Sequence, residues 1–209
     1  MFLRHPLLSS WRVDHGFGTI GSAFRSSCRT VRQVHGTEVV DLSESDPLGD
    51  ADGLIAQDGE IGVFTADCLP VLIADRLGTR VGAIHAGWRG ATSGIVLRGL
   101  SRFLDAPGTA LSSLRIVLGP AIGPCCFEVG PDVWEAVTKG TPGYRQIDRS
   151  TLDLWSLVEF QLAGAGVPES SLGRVSLCTR CHPGLFFSHR GQGPLRQGRS
   201  MLNYICPAR

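Results

Sequence analysis

The sequence lacks the features that mark a membrane, exported or nucleic-acid-binding protein. No stretch of about eighteen apolar residues exists, so we expect no membrane-spanning helix. The 20 basic and 19 acidic residues leave a formal net charge of +1, which gives no electrostatic reason to expect nucleic acid as a partner. Residues 1–11 lack the charged start, apolar core and small-residue cleavage site of a secretory signal, so a cytoplasmic location is expected.

Internal repeats, low-complexity runs and clear linkers are also missing, and this absence favours one folding unit. With 209 residues, 43% of them hydrophobic, the chain can bury a real core, so we predict a single domain over residues 1–209. The 27 glycines indicate many turns and close backbone approaches. The seven cysteines are an odd number, and in a reducing compartment they predict free thiols rather than a disulfide scaffold.

Apolar periodicity predicts strands first and helices later. The predicted strands are Val39-Val40, Gly53 to Ala56, Ile61 to Ala66, Pro70 to Ala74, Arg80 to His85 and Leu114 to Leu118. The predicted helices are Ile95 to Leu104, Pro131 to Val137, and a segment from Leu154 that Asp153 caps and that ends near Gly164 or Gly166. Strands in runs, with helices between and after them, predict an α+β architecture with a mixed sheet.

One predicted hairpin matters for function. The two strand-like runs before and after Gly78 can form a tight turn there, since glycine readily takes a positive φ. If Asp75 pairs with Arg80, then Pro70 lies opposite His85, and Cys68 lies at the same end of the hairpin. Diagonal neighbours in an antiparallel strand pair have Cβ atoms roughly 7–8 Å apart or less, so the Cys68 thiolate and the His85 imidazole could share one small ion.

Four segments of the sequence carry residues suited to chemistry. They are Gln33-Val34-His35-Gly36, Thr65-Ala66-Asp67-Cys68-Leu69-Pro70, His85-Ala86-Gly87-Trp88-Arg89-Gly90, and the Gly-Pro-rich stretch from Gly119 to Gly130 that contains Cys125 and Cys126. In this order they resemble the multicopper polyphenol oxidoreductase (laccase-like) family, also called the YfiH or purine nucleoside phosphorylase family. The resemblance covers roughly residues 14 to 206 and includes Ala51-Asp52-Gly53-Leu54, Asp153-Leu154 and Phe186-Phe187-Ser188-His189-Arg190.

The resemblance implies a fold, a ligand set and an activity. The implied fold is a YfiH-like mixed β-sheet sandwich flanked by helices. The implied metal ligands are His35, Cys68 and His85, holding zinc or another transition metal. The implied activity is phosphorolysis of adenosine, inosine and methylthioadenosine, with adenosine deaminase activity beside it. A bacterial role in editing peptidoglycan precursors is also attributed to the family.

The residue types agree with this ligand set. One thiolate and two imidazoles suit zinc, and three protein ligands leave a fourth position for water or substrate. One cysteine and two histidines are too few for the several copper ions of a laccase, so copper is disfavoured on ligand count. Deaminases that use zinc rely on a His-x-Glu segment, which the sequence does not contain, so deamination would need a different acid.

Two other interpretations stay open at the level of sequence. Cys68 could be a nucleophile with His85 as its base, an arrangement that needs no metal and would suit an amide hydrolase acting on a cell-wall precursor. The chain could also be a non-catalytic relative that binds metal and a small molecule or protein. His35 separates the first two, because a zinc site requires it and a Cys–His pair does not.

Further residues are candidates for the same site. We predict Cys68, His85 and Asp67 as catalytic, where Asp67 either acts as an acid, base or orienting group or is simply a hydrogen-bonding turn residue. The predicted substrate-binding residues are Gln33, Arg89, Cys125 and Arg190. Arg89 suits a phosphate or a carboxylate, with a surface salt bridge as the alternative. For Cys125 the alternative is a buried thiol in a tight turn.

The segment Cys178-Thr179-Arg180-Cys181-His182 matches the C-x-x-C-H pattern of haem attachment. Covalent haem normally accompanies export, and no signal peptide is seen, so we do not expect it; the cysteine pair could instead hold an adventitious metal. As partners we expect a purine nucleoside and phosphate, neither nucleic acid nor membrane, and a monomer or homodimer.

The chain departs from the family at two places. Only Gly18 to Arg32 separates His15-Gly16-Phe17 from Gln33, where members carry a longer stretch that contributes to the substrate pocket. Near the C-terminus, Ser188-His189-Arg190-Gly191 stands where members read Ser-Tyr-Arg-Arg followed closely by Thr-Gly-Arg. One family arginine is therefore lost, and extra C-terminal residues separate this segment from Gly198-Arg199. Substrate identity is therefore the least determined property, and a lost phosphate contact would weaken phosphorolysis.

Overall fold

Strands of the computed structural model, which describes residues 1–23, 25–42 and 49–208, form one four-stranded and one six-stranded sheet. The strands are β1 Phe2–Leu3, β2 Asp14–Gly18, β3 Val39–Asp41, β4 Gly53–Ala56, β5 Ile61–Thr65, β6 Leu69–Asp75, β7 Val81–Ala86, β8 Leu114–Leu118, β9 Leu172–Arg174 and β10 Met201–Cys206. The smaller sheet has the order β1-β2-β10-β5 and the larger one β3-β4-β7-β6-β8-β9. Both parallel and antiparallel pairs occur in the larger sheet, so the predicted mixed sheet is confirmed.

The helices lie mostly between and after the central strands, as predicted. They are α1 Pro6–Ser9, α2 Trp88–Thr92, α3 Ile95–Leu104, α4 Pro131–Gly140, α5 Leu154–Gly164 and α6 His189–Gln192, with short 3-10 turns at Leu111–Ser113, Glu169–Ser171 and Gly193–Arg196. Asp153 caps α5 by accepting a hydrogen bond from the Ser156 N–H. None of the helices in the described part of the chain is long and apolar enough to cross a membrane.

Two apolar layers hold the architecture together. One layer fills the space between the two sheets, where Phe17 and Ile205 of the small sheet join Leu72 and Val117 of the large one. The other layer packs α3, α4 and α5 against the opposite face of the large sheet. The fold therefore has three layers in space, which are the helices, the six-stranded sheet and the four-stranded sheet. This arrangement confirms the predicted β-sheet sandwich flanked by helices.

The hairpin register is the part of the fold that positions chemistry. Strands β6 and β7 pair antiparallel with Pro70 opposite His85, as the sequence predicted. The Asp75 N–H donates to the Arg80 carbonyl, and Gly78 in the turn has φ +68°. Strand β4 pairs with the other edge of β7, so a third segment is brought alongside His85.

Candidate active site

Cys68 and His85 meet at one end of the hairpin. Cys68 directly precedes β6, and Leu69 pairs with Ala86, so the cysteine lies just beyond the pair that contains His85. Thr65 ends strand β5, which leaves a short connection between two buried strands to carry Cys68. The local order of strands therefore places a thiol next to an imidazole without any contribution from distant segments.

His35 reaches the same point from a loop that Asp52 shapes. The Asp52 carboxylate accepts hydrogen bonds from the backbone N–H groups of Val34 at 3.2 Å, His35 at 2.9 Å and Gly36 at 2.6 Å. His35 itself has φ +60°, a left-handed conformation that is uncommon outside glycine. Three N–H groups converging on one carboxylate stabilise this loop and hold the imidazole over the hairpin end.

The three side chains converge closely. One donor atom from each of His35, Cys68 and His85 lies within 4.8 Å of the other two, and Cys68 Sγ is 3.8 Å from His35 Nε2. The two imidazole rings meet edge to face, with centroids 4.8 Å apart. His85 is only 3% exposed, Cys68 is half-buried and His35 is exposed, so the group opens to one side.

Asp52 also orients His85, a role that the sequence analysis did not assign. His85 Nδ1 donates to Asp52 Oδ1 at 2.7 Å, which leaves Nε2 for the centre of the triad. A carboxylate behind an imidazole is the usual support of a metal-binding histidine. Asp52 stands in the family-like segment Ala51-Asp52-Gly53-Leu54, but its contact with His85 could be recognised only from the register of β4 on β7, where Gly53 lies opposite Ile84.

Hydrogen bonding outweighs burial in the ionisation of these groups. Burial alone would lower the pKa of His85, but hydrogen bonds with Asp52 and Cys68 raise that pKa to about 9. Burial alone would raise the pKa of Cys68, but His35 and His85 bring it down to about 7. Burial likewise opposes ionisation of Asp52, yet hydrogen bonds from His85 and the Gly36 N–H lower its pKa. Without metal, the site therefore favours a thiolate beside an imidazolium.

The donor set fits one transition-metal ion. A thiolate and two imidazoles are ligands of intermediate softness, and Asp52 supplies the outer hydrogen bond that such a site requires. Gly87 lies against the triad: a Cβ at this position would be 2.9 Å from His35 Cδ2 and 3.3 Å from Cys68 Sγ. Glycine therefore leaves room for the three donors to close around an ion.

A cavity of about 540 Å³ opens over the triad. Its volume lies in the range of small-molecule sites. The predicted residues Gln33, Asp67, Cys68, Arg89 and Arg190 line it together with His35 and His85, and its apolar walls are formed by Phe64, Trp88, Ile122, Phe127 and Leu154. The sulfur and imidazole donors thus share one space with cationic and aromatic side chains.

The polar side chains that line the cavity differ in the contacts that they make within the protein. Both ends of the Gln33 amide bind the backbone of Phe64, at 2.7 and 2.8 Å, so this side chain fixes its loop against β5. The Arg89 and Arg190 guanidinium groups lie over the Trp88 and Phe127 rings, at 4.3 and 5.2 Å from the centroids. Both arginines are exposed and lie at the cavity.

Asp67 is a buried carboxylate whose two oxygens both accept hydrogen bonds. Thr179 Oγ1 donates at 2.6 Å and the Arg190 backbone N–H at 2.7 Å. Its φ of +90° places it in a strained turn directly before Cys68. These contacts are those of a turn residue that joins distant segments, and a role as acid or base stays a prediction.

The structure separates Cys125 from the other predicted residues. Cys125 is not among the described residues that line the cavity; its Sγ lies 3.6 Å from Cys181 Sγ. The lining also contains His189, Arg196 and Ser200, which the sequence analysis did not single out. Arg196 belongs to the 3-10 turn within the extra C-terminal residues, whose path no local pattern predicts.

Comparisons with known proteins identify a family and agree with the fold. The family described as multi-copper polyphenol oxidoreductase laccase matches residues 17–206. Purine nucleoside phosphorylase YfiH of Shigella flexneri is 38% identical over 168 residues, which cover 77% of this chain and 67% of that protein. The chain spans about two thirds of the length of such curated relatives.

Solved structures show the same architecture. YlmD from Geobacillus stearothermophilus is 29% identical with a TM-score of 0.78, covering 88% of this chain and 74% of that one. Hypothetical protein YfiH of Bacillus licheniformis has a TM-score of 0.81 at 24% identity, covering 94% and 93%, and this likeness concerns the fold. With a family match over nearly its whole length, the chain belongs to the multi-copper polyphenol oxidoreductase laccase family.

Proposed function

We propose that this protein is a zinc-dependent purine nucleoside phosphorylase. The observation that carries the proposal is the convergence of His35, Cys68 and His85, backed by Asp52, on a cavity that also presents arginines and aromatic walls. The name of the Shigella flexneri relative supports the reaction class. Zinc is favoured because one thiolate and two imidazoles leave a fourth position open.

In this proposal His35 Nε2, Cys68 Sγ and His85 Nε2 would hold the ion beside the cavity. A bound zinc ion would supply a Lewis acid there. Asp52 keeps the His85 imidazole in the tautomer with its proton on Nδ1, so that Nε2 carries a free lone pair. The lowered pKa of Cys68 keeps sulfur available as a thiolate near neutral pH.

The chain's own residues account for binding of both substrates. Arg89 and Arg190 hold phosphate, since guanidinium groups recognise its oxygens in pairs. Trp88, Phe127 and Leu154 provide a surface for the purine ring. Phosphorolysis joins a phosphate oxygen to ribose C1′ and breaks the bond from C1′ to the purine nitrogen, so the enzyme must hold the two substrates in line.

Arg196 compensates for the arginine missing from the Ser188-His189-Arg190 segment. It approaches the same cavity from the 3-10 turn Gly193–Arg196, which lies among the extra residues. Asp67 holds the Arg190 backbone N–H at 2.7 Å and thereby fixes where α6 enters the cavity. Phosphate would then meet three guanidinium groups, from Arg89, Arg190 and Arg196.

The direct test is incubation of the zinc-loaded protein with adenosine and phosphate, followed by separation of the products. We expect adenine and ribose 1-phosphate in equal amounts, and no product when phosphate is omitted. Inosine and methylthioadenosine serve as further substrates, and inosine formed from adenosine would report deamination. One bound zinc at this site with no turnover of any nucleoside would favour a non-catalytic, metal-binding relative instead.

A second function is favoured by the ionisation of the site. In hydrogen-bond order, the Cys68 thiolate would be the nucleophile, the His85 imidazolium would donate its proton to the leaving amine, and the Asp52 carboxylate would orient His85. This arrangement suits an amide hydrolase acting on a peptidoglycan precursor. Amide hydrolysis that survives exhaustive chelation and disappears in Cys68→Ser would support it, whereas loss of all turnover on chelation would support the zinc enzyme.

A further inference from the structure

Four cysteines form a second cluster away from the cavity triad. The Sγ atoms of Cys125, Cys126, Cys178 and Cys181 all lie within 4.8 Å of one another. Cys181 Sγ is 3.6 Å from that of Cys125 and 3.5 Å from that of Cys126. All four are free thiols, and the proposed phosphorylase reaction uses none of them.

Two tight loops bring these sulfurs together. The N–H groups of Cys126 and Phe127 both donate to the Gly123 carbonyl at 2.9 Å, which curls the first loop into a turn. The second loop carries a Cys-x-x-Cys spacing, common among metal-binding cysteines. Ala121 and Cys178 form a parallel bridge between the loops, so backbone pairing holds the two pairs of cysteines face to face.

We propose that Cys125, Cys126, Cys178 and Cys181 bind one zinc ion as a closed tetrathiolate site. In a tetrahedron with Zn–S bonds of about 2.3 Å, sulfur atoms stand about 3.8 Å apart. The separations of 3.5 and 3.6 Å, and the limit of 4.8 Å for the whole set, agree with that geometry. A disulfide requires about 2.05 Å, and a cluster of several irons requires thiolates spaced more widely.

The surroundings suit an anionic metal–thiolate group. The Gly123 N–H donates to Cys178 Sγ at 3.2 Å, the type of N–H···S contact that stabilises sulfur ligands. Arg180 lies between the cysteines of the second loop and donates to the Cys126 carbonyl at 3.3 Å. Cys125 and Cys181 are exposed while Cys178 is buried, so zinc can enter from solvent and displace the thiol protons into it.

The site would stabilise one wall of the cavity. Thr179, in the second loop, donates to Asp67 Oδ1 at 2.6 Å, and the Ile122 N–H of the first loop donates to the Asp67 carbonyl at 2.9 Å. Both loops therefore contact the residue directly before Cys68. A zinc ion that locks the loops together would hold Asp67 and Ile122 in place, which is a structural role distinct from chemistry at the triad.

The test counts zinc in four forms of the full chain purified under anaerobic, reducing conditions. They are wild type, Cys68→Ser, the double variant Cys178→Ser/Cys181→Ser, and the triple combination. We expect about two, one, one and no zinc ions per chain. Because Cys68→Ser removes only the triad site, the remaining ion reports the thiolate site even if the proposed function fails.

Controls separate metal loss from misfolding. Cys206→Ser, which removes a thiol outside both clusters, should leave the zinc content unchanged. Circular dichroism checks the fold of each variant, and Cys125→Ser, at an exposed position, replaces the double variant if that one fails to fold. Cobalt loaded into Cys68→Ser should give the strong sulfur-to-metal absorption of a tetrathiolate.

Three results would overturn the proposal. One is a Cys68→Ser protein that binds no zinc after incubation with excess Zn²⁺. Another is iron in place of zinc in that protein. The third is a disulfide among the four cysteines in anaerobically purified protein, detected by peptide mapping without reduction.

Discussion

The two sulfur-containing clusters differ in what supports them and in what they face. The triad has one sulfur and two imidazoles, a buried carboxylate behind His85 and an opening onto a cavity. The thiol cluster has four sulfurs on two loops. None of its four cysteines is among the described residues that line the cavity. Mixed donors with an open side favour chemistry, whereas four like donors that close around an ion favour a structural role.

The difference shows that surroundings, more than the presence of cysteine, decide reactivity. Cys68 is half-buried, yet two imidazoles lower its pKa to about 7. Cys125 is an exposed residue, yet partial desolvation of its sulfur, followed by hydrogen bonding with Cys181 and Cys178, raises its pKa to about 11. At Cys68 the imidazole partners outweigh burial, whereas at Cys125 desolvation and the thiol partners both oppose the thiolate.

The largest expected effect separates the clusters by metal content. Cys68→Ser should lose the triad metal and reduce phosphorolysis by more than about 100-fold, because a ligand matters more than the outer-shell groups worth 10–100-fold. The zinc of the thiol cluster should stay. Metal analysis and adenine release measure the two results, with Cys28→Ser as the control; full activity in Cys68→Ser would contradict the assignment of the triad.

The second prediction compares the reactivity of the two kinds of thiol. In metal-free protein at about pH 7.5, iodoacetamide should label Cys68 between about 10- and 100-fold faster than Cys125. The ratio of the thiolate fractions of Cys68 and Cys125 is larger than this expected ratio of rates. The rates differ less because the Cys68 thiolate, being less basic, is the weaker nucleophile. Peptide mass spectrometry over time gives both rates, and faster labelling of Cys125 would show that exposure dominates.

The pH dependence of that labelling sharpens the comparison. The rate of Cys68 labelling should rise through a midpoint near pH 7, because the pKa of Cys68 in the folded protein is lowered from 9.0 to about 7.

The free energy of unfolding should depend on His85 in the opposite direction, falling as pH rises. The pKa of His85 is raised from 6.5 to about 9, so its stabilising contribution is full below pH 6.5 and is lost as pH rises through about 9. Urea unfolding of the metal-free protein across this range checks this pH dependence.

A smaller effect should follow from the carboxylate that only the triad possesses. Asp52→Asn keeps the side-chain size but removes the charge behind His85 and disturbs the N–H groups of the His35 loop. Zinc affinity of the triad should fall by about 10- to 100-fold while the thiol cluster keeps its ion. Chelator competition measures both affinities. Asp105→Asn, at an exposed position, is the matched control, and equal loss there would remove the special role of Asp52.

The smallest effect concerns the space around the triad. Gly87→Ala would place a Cβ 2.9 Å from His35 Cδ2, so the imidazole must shift by a few tenths of an ångström. The backbone at Gly87, with φ −66° and ψ 164°, accepts alanine without strain. We expect zinc affinity of the triad to fall by about 10-fold. Gly184→Ala, where a Cβ meets nothing within 4 Å, should have no effect.

Much of the large sheet and its helices was predictable because their signals are local. The strands at Gly53–Ala56 and Leu114–Leu118 and the helix Ile95–Leu104 have the predicted bounds. The hairpin register followed from turn chemistry at Gly78, and it placed Cys68 beside His85. Neighbouring strands joined by a short turn have little freedom in how they pair.

Of the small sheet only β5 was predicted; β1, β2 and β10 were missed, and for β2 the reason is physical. Strand β2 contains Gly16 and Gly18, residues that weaken a strand pattern and suggest turns. Both glycines are required because a Cβ at Gly18 would lie 2.4 Å from the Leu202 carbonyl oxygen, and one at Gly16 would lie 2.8 Å from the Tyr204 ring. That need is invisible until β10, from the other end of the chain, pairs with β2.

By itself the sequence determined the strand and helix pattern of the chain's centre and the meeting of one thiol with one imidazole, since short-range periodicity and a tight turn suffice for both. Only the tertiary structure decided the rest: Asp52 behind His85, the arginine at 196 in the cavity, and four cysteines from two distant loops within 4.8 Å. These groups are brought together by sheet register and by the packing of loops far apart in sequence, and local patterns contain no record of either.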